Sequence, residues 1–124
     1  MSWKDIEING FQIEKCVGEF EVTALDYFED VFDGDEIHYG AFKVKVYESQ
    51  VVQFSEKEYN FIGYTNLQVK DSTGTYESGV GYGKTLEIAL ENTIQSLKSK
   101  IEELNSDQKG LTKPDFNLVS YDEY

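Results

Sequence analysis

The sequence of 124 residues carries 24 acidic and 11 basic side chains, a formal net charge of −13, with 40% of its residues hydrophobic. That composition suits one domain around one core. It excludes a membrane helix, which needs a run of roughly 18 apolar residues, and a secreted disulfide scaffold, since Cys16 is the single cysteine.

The first element reads as a hairpin. Asn9-Gly10 tolerates positive φ at both positions, and pairing Ile8 with Phe11 and Ile6 with Ile13 places four apolar side chains on one face. Phe20 and Val22 continue the alternation, with Glu19 and Glu21 pointing the other way. Residues 23–34 support two readings. Thr23-Ala-Leu-Asp26 is a capping-box-like start, Leu25, Phe28 and Phe32 share a helical face, and Gly34 closes the end, which gives a short acidic helix over 24–32. A strand running into an acidic loop is the rival.

From Ile37 the pattern is β. Phe42, Val44 and Val46 alternate with Lys43, Lys45 and Tyr47, a half-buried strand whose lysines face acids from earlier in the chain. Residues 59–69 form another strand, and Asp71-Ser-Thr-Gly74 turns into a strand over 75–80. Leu86, Leu90, Ile94, Leu97, Ile101 and Leu104 draw one apolar stripe on a helix over about 86–104, with Thr85 as N-cap and Glu87 at the positive end. The expected fold is α+β: an antiparallel sheet of four to six strands with this C-terminal helix across one face. The domain spans 1–104. Residues 105–124 read as a polar, loosely held tail in which Phe116, Leu118, Val119 and Tyr121 are the residues able to dock.

Ser78-Gly-Val-Gly-Tyr-Gly83-Lys84-Thr85 superficially follows a phosphate-binding loop, but Ser78 stands where that pattern requires glycine. Glycines that let the chain turn tightly into a helix account for it. Gly81-x-Gly83-x-Thr85 followed by Ala89 resembles the last strand-to-helix junction of the double-stranded-RNA-binding domain, over residues 37–104. That family sets lysines at the start of the helix to hold phosphates. Leu86, Glu87 and Leu90 stand here, so the resemblance implies topology without RNA binding.

Other chemistry finds little support. His38 is the only histidine, so one His and one Cys fall short of a zinc site. No serine is marked as a nucleophile. Cys16 reads as a buried apolar filler. Asp30, Asp33 and Asp35 miss the calcium-loop spacing, and carboxylate pairs of the glycosidase kind arise by chance among 24 acids. No catalytic residue, cofactor or metal is expected.

The charge distribution carries the functional reading. All the basic residues are lysines, and without arginine direct nucleic-acid binding is disfavoured. Residues 1–36 hold 11 acids against two lysines, and six carboxylates fall between Asp26 and Glu36. Charge of one sign opposes compaction, but it also steers a protein onto a basic partner, and interleaved aromatics add desolvated anchors. In size and composition the chain resembles bacterial toxin-immunity proteins and phage anti-CRISPR proteins. The expectation is a cytoplasmic, non-catalytic inhibitor that mimics nucleic acid and blocks the basic surface of a nuclease or other nucleic-acid-binding protein. Asp26, Glu29, Asp30, Asp33, Asp35 and Glu36 would form the charged face, with Tyr27 and Phe32 as anchors. A structural or adaptor module whose acidity serves solubility, and a small enzyme with an unrecognised site, are the alternatives. The opening MSWKDIEING, with no basic start and no apolar stretch, does not read as a signal peptide, and no membrane partner is expected.

Overall fold

A computed structural model describes residues 2–23, 41–53, 59–108, 111 and 113–119. The fold is α+β, with a five-stranded antiparallel sheet packed against one long helix. The strands are β1 (Glu14–Thr23), β2 (Ala41–Gln53), β3 (Tyr59–Lys70), β4 (Tyr76–Gly83) and β5 (Phe116–Leu118), and helix α1 spans Leu86–Gln108. The first four follow one another across the sheet, and β5 pairs with β3. No described helix is long and apolar enough to cross a membrane.

Side-chain alternation separates the two faces of the sheet. Val44 and Val46 are fully buried, and so are Thr65 and Leu67 on β3, all contributing to the layer under α1. The helix lies over β3 and β4 and meets β2 with its flank. Its N-terminus is fixed as the sequence suggests, by Thr85 Oγ1 accepting from Ile88 N at 3.2 Å. The apolar stripe is real but off-centre. Leu97, Ile101 and Leu104 are buried, whereas Leu86, Leu90 and Ile94 are partly buried at its flank. The line of closest approach runs through the small residues Ala89 and Thr93 instead.

That approach explains the glycines of residues 79–83. They do not turn the chain tightly into a helix, because Gly79, Gly81 and Gly83 all belong to β4. A Cβ on Gly81 would lie 2.2 Å from Thr93 N, and one on Gly83 would lie 2.4 Å from Ala89 N. The glycines remove side chains so that two backbones can touch.

β4 is an edge strand, and α1 closes it. Asn92 Nδ2 donates to Tyr82 O at 2.8 Å, Ser96 Oγ accepts from Val80 N at 3.2 Å, and Lys100 Nζ donates to Ser78 O at 2.7 Å. Three side chains at helical spacing thus satisfy backbone groups that would otherwise template another strand. Replacing Asn92, Ser96 and Lys100 together with alanine is expected to lower stability by about 1 kcal/mol per lost bond. It should also produce concentration-dependent self-association in sedimentation velocity beyond any that the parent chain shows under the same conditions.

The β3–β4 turn forms as expected. Asp71 accepts from Thr73 N, Thr73 Oγ1 and Thr75 N at 2.8, 2.6 and 3.0 Å, and Gly74 takes φ +89°. The hydrogen bond from the Thr73 hydroxyl, followed by those from the backbone, holds the exposed Asp71 carboxyl below its ordinary range.

Two expectations are corrected. The first hairpin shrinks to a single bridge between Ile8 and Phe11, without Ile6–Ile13 pairing. Gln50 intervenes, its amide oxygen accepting from Ile13 N at 3.1 Å while its amide nitrogen donates to Ile6 O. Ile6, Ile8 and Phe11 consequently remain exposed instead of sharing a buried face. At the other end, the helix continues past 104 to Gln108. The following segment returns to the core through Leu111 and Phe116, both buried, with Leu118 paired to Leu67.

Candidate interaction surface

The expected recognition residues Asp26, Tyr27, Glu29, Asp30, Phe32, Asp33, Asp35 and Glu36 lie outside the described residues, as do the 24–32 helix and His38. Their attachment points are described. Thr23 and Ala41 are partners at the last rung of the β1–β2 pair, so the two residues that flank 24–40 in sequence are neighbours at one corner of the described sheet.

Beside that corner lies the sheet face turned away from α1. Strand register orders its side chains in rows. Glu21 stands opposite Lys43; Glu19, Lys45, Tyr64 and Val80 cross all four strands in the next row; Cys16, Tyr47, Ile62 and Tyr82 form the one after. The cross-strand placing of Lys43 and Lys45 against acids of β1 follows the sequence pattern. An opposite-charge pair of this kind contributes roughly 0.2–1 kcal/mol.

The middle of the face is aromatic. Tyr47 and Tyr64 meet edge to face with ring centroids 6.1 Å apart, a favoured aromatic geometry. Burial, followed by the nearby Cys16, Glu14 and Glu19, raises the Tyr47 phenol above its ordinary value. Burial and then Glu14, Tyr82 and Tyr47 do the same for Tyr64. Both rings are therefore neutral hydrogen-bonding groups at physiological pH. The fold favours their protonated form, so their contribution is complete below the unfolded phenol value near 10 and is lost as pH rises through the higher folded values. Urea midpoints should fall between pH 9 and pH 11 in the parent chain, and fall less in a Tyr47→Phe/Tyr64→Phe variant.

Cys16 belongs to this face and is exposed, not the buried filler its sequence neighbours imply. The register irregularity between Cys16 and Gly18 sets it opposite Tyr47. Its thiol donates to Gly18 O at 3.7 Å.

Among the described residues no group of three or more His, Cys, Asp or Glu side chains is placed to hold a metal. A cleft of about 190 Å³ lies between the β3–β4 turn and the last turns of α1, where Asp71, Glu77, Glu103 and Asp107 face Lys70 and Lys100. Its volume is below the ordinary range of small-molecule sites, and Lys100 is already engaged with Ser78 O and Glu77.

The tyrosine face escaped the sequence reading because Tyr47 appears there only as the polar-side member of an alternating strand. Tyr64 and Tyr82 join it through long-range register, which no local spacing encodes. No protein-family model, curated protein or solved structure matches the chain.

Proposed function

We propose that the chain is a non-catalytic acidic inhibitor that binds and blocks the basic surface of a nucleic-acid-acting protein. The observation that carries this reading is six carboxylates in the eleven residues Asp26–Glu36, attached at both ends to the paired residues Thr23 and Ala41. Six carboxylates in eleven residues are a dense run of negative charge in sequence, and its flanking residues are cross-strand neighbours. Carboxylates at that density imitate the phosphates of a nucleic acid, and the opposing fields accelerate encounter by about 10- to 1,000-fold. Tyr27 and Phe32 supply the desolvated contacts that charge alone does not.

Four lysines lend support. Lys4 pairs with Glu48 at 2.6 Å, Lys100 approaches Glu77 at 3.8 Å, and Lys43 and Lys45 stand opposite Glu21 and Glu19. Each has a carboxylate from outside the 26–36 segment as its neighbour. The half-exposed tyrosine face favours an adaptor as the second reading, since aromatic contacts need no opposite charge.

The two readings separate by salt. Tagged chain is used to capture partners from its native host at low and high ionic strength, with mass spectrometry as the readout and nucleic-acid binding by the captured protein as the assay. The inhibitor reading expects a basic nucleic-acid-binding protein, lost at high salt and unable to bind nucleic acid while captured. Capture of an acidic or neutral protein with no salt dependence would instead establish the adaptor.

A further inference from the structure

Three of the large apolar side chains left exposed fall within six residues: Ile6, Ile8 at 57% exposure and Phe11 at 77%. Ile8 and Phe11 close a turn that Ile6 precedes, and the tip of that turn is open. Gly10 has φ +89°, and nothing lies within 4 Å of where its Cβ would be. The turn is nonetheless firmly held. Phe11 N donates to Ile8 O at 3.0 Å. The Gln50 amide, reaching from β2, donates to Trp3 O at 3.4 Å, Lys4 O at 3.2 Å and Ile6 O. Lys4 is ion-paired with Glu48. Exposed apolar side chains grouped on one short ordered segment, two of them cross-strand partners, are a candidate interaction site, and residues of this type are otherwise among those most often buried.

We propose that the Ile8-Asn9-Gly10-Phe11 turn is a docking knob that enters an apolar pocket with a basic rim on a second protein. Charge selects the rim. Asp5, Glu7 and Glu14 flank the apolar side chains in sequence and outnumber Lys4 and Lys15, of which Lys4 is committed to Glu48. A second copy of the chain does not fit, because it brings the same net charge of −13 and so repels the knob's own acidic surroundings. An anionic lipid surface repels the knob for the same reason. Because the turn is ordered in advance, docking forfeits little conformational entropy. The knob stands at the opposite end of β1 from Thr23, about 30 Å away along a ten-residue strand.

Trp3 is the only tryptophan and belongs to the segment that Gln50 holds, so its fluorescence reports occupancy. The probe is a synthetic amphipathic helix of leucine and lysine, whose apolar surface is bordered by cations. It is titrated into the full chain with backbone amide shifts recorded in parallel. The expected result is a saturable change in Trp3 emission, with amide shifts centred on residues 7–12. Phe11→Ser or Ile8→Ser should weaken binding by about 10- to 100-fold with the thermal midpoint unchanged, and Phe11→Leu should retain it. A Glu29→Lys/Asp30→Lys/Asp33→Lys variant should keep the Trp3 response, which separates this proposal from the acidic inhibitor. If Phe11→Ser fails to fold, Phe11→Leu and the amide map of the parent chain decide. The proposal is overturned by equal binding of Phe11→Ser, by an equal Trp3 response to an all-lysine peptide or to phosphatidylcholine vesicles, or by amide shifts that avoid the turn.

Discussion

Gly81→Ala is expected to destabilise the chain by about 3 kcal/mol or more, the upper end of overpacking costs. The added methyl would lie 2.2 Å from Thr93 N, 2.5 Å from Asn92 C and 2.8 Å from Thr93 Cα, all backbone atoms of α1. A flexible side chain can swing away from such a contact, but a helix backbone must translate as a unit. Moving α1 outward separates it from Gly79 and Gly83 as well, and opens the buried layer around Leu97 and Ile101. It also strains the bonds from Asn92 and Ser96 to β4. Against a total stability of roughly 5–15 kcal/mol, this loss should lower the thermal midpoint by on the order of 10 °C. Gly74→Ala makes the comparison, since its strain comes from φ +89° in an open turn and leaves the helix–sheet contact alone. Thermal unfolding that left Gly81→Ala within a degree of the parent would mean that the helix does not sit against β4 as described.

The second large effect concerns association. Reversing Glu29, Asp30 and Asp33 to lysine adds two charges at each position and takes the net charge from −13 to −7. If the segment steers a basic partner, on-rates should fall by at least about tenfold at low salt, and the difference should shrink as salt rises past the screening length. Thermal stability should stay constant or increase, because the substitutions relieve repulsion among neighbouring carboxylates. A purely solvating role predicts unaltered capture.

Much of the fold was legible because it is local. The β2 alternation, the Asp71–Gly74 turn, the Thr85 cap and the apolar helix stripe each follow from spacing and side-chain chemistry within a few residues. What was missed depends on contacts distant in sequence. The turn at Asn9-Gly10 formed, but the side chain of Gln50 took the carbonyl that Ile6 would have given to a ladder. The glycines of β4 resembled a phosphate loop or a tight turn until Thr93 and Ala89 were found against them. Cys16 and the tyrosines share a face only through register across four strands. The acidic segment was conspicuous in sequence because charge density needs no tertiary information, whereas the anchors on either side of it needed the strand pairing.

The most direct measurement is the association rate of the chain with its captured partner as a function of ionic strength, for the parent and for the triple lysine reversal. A steep fall in rate with salt for the parent, and a slow, nearly salt-independent rate for the reversal, is the result predicted here. Identical rates for the two chains, flat across salt, would contradict the claim that the carboxylates between β1 and β2 are a recognition device.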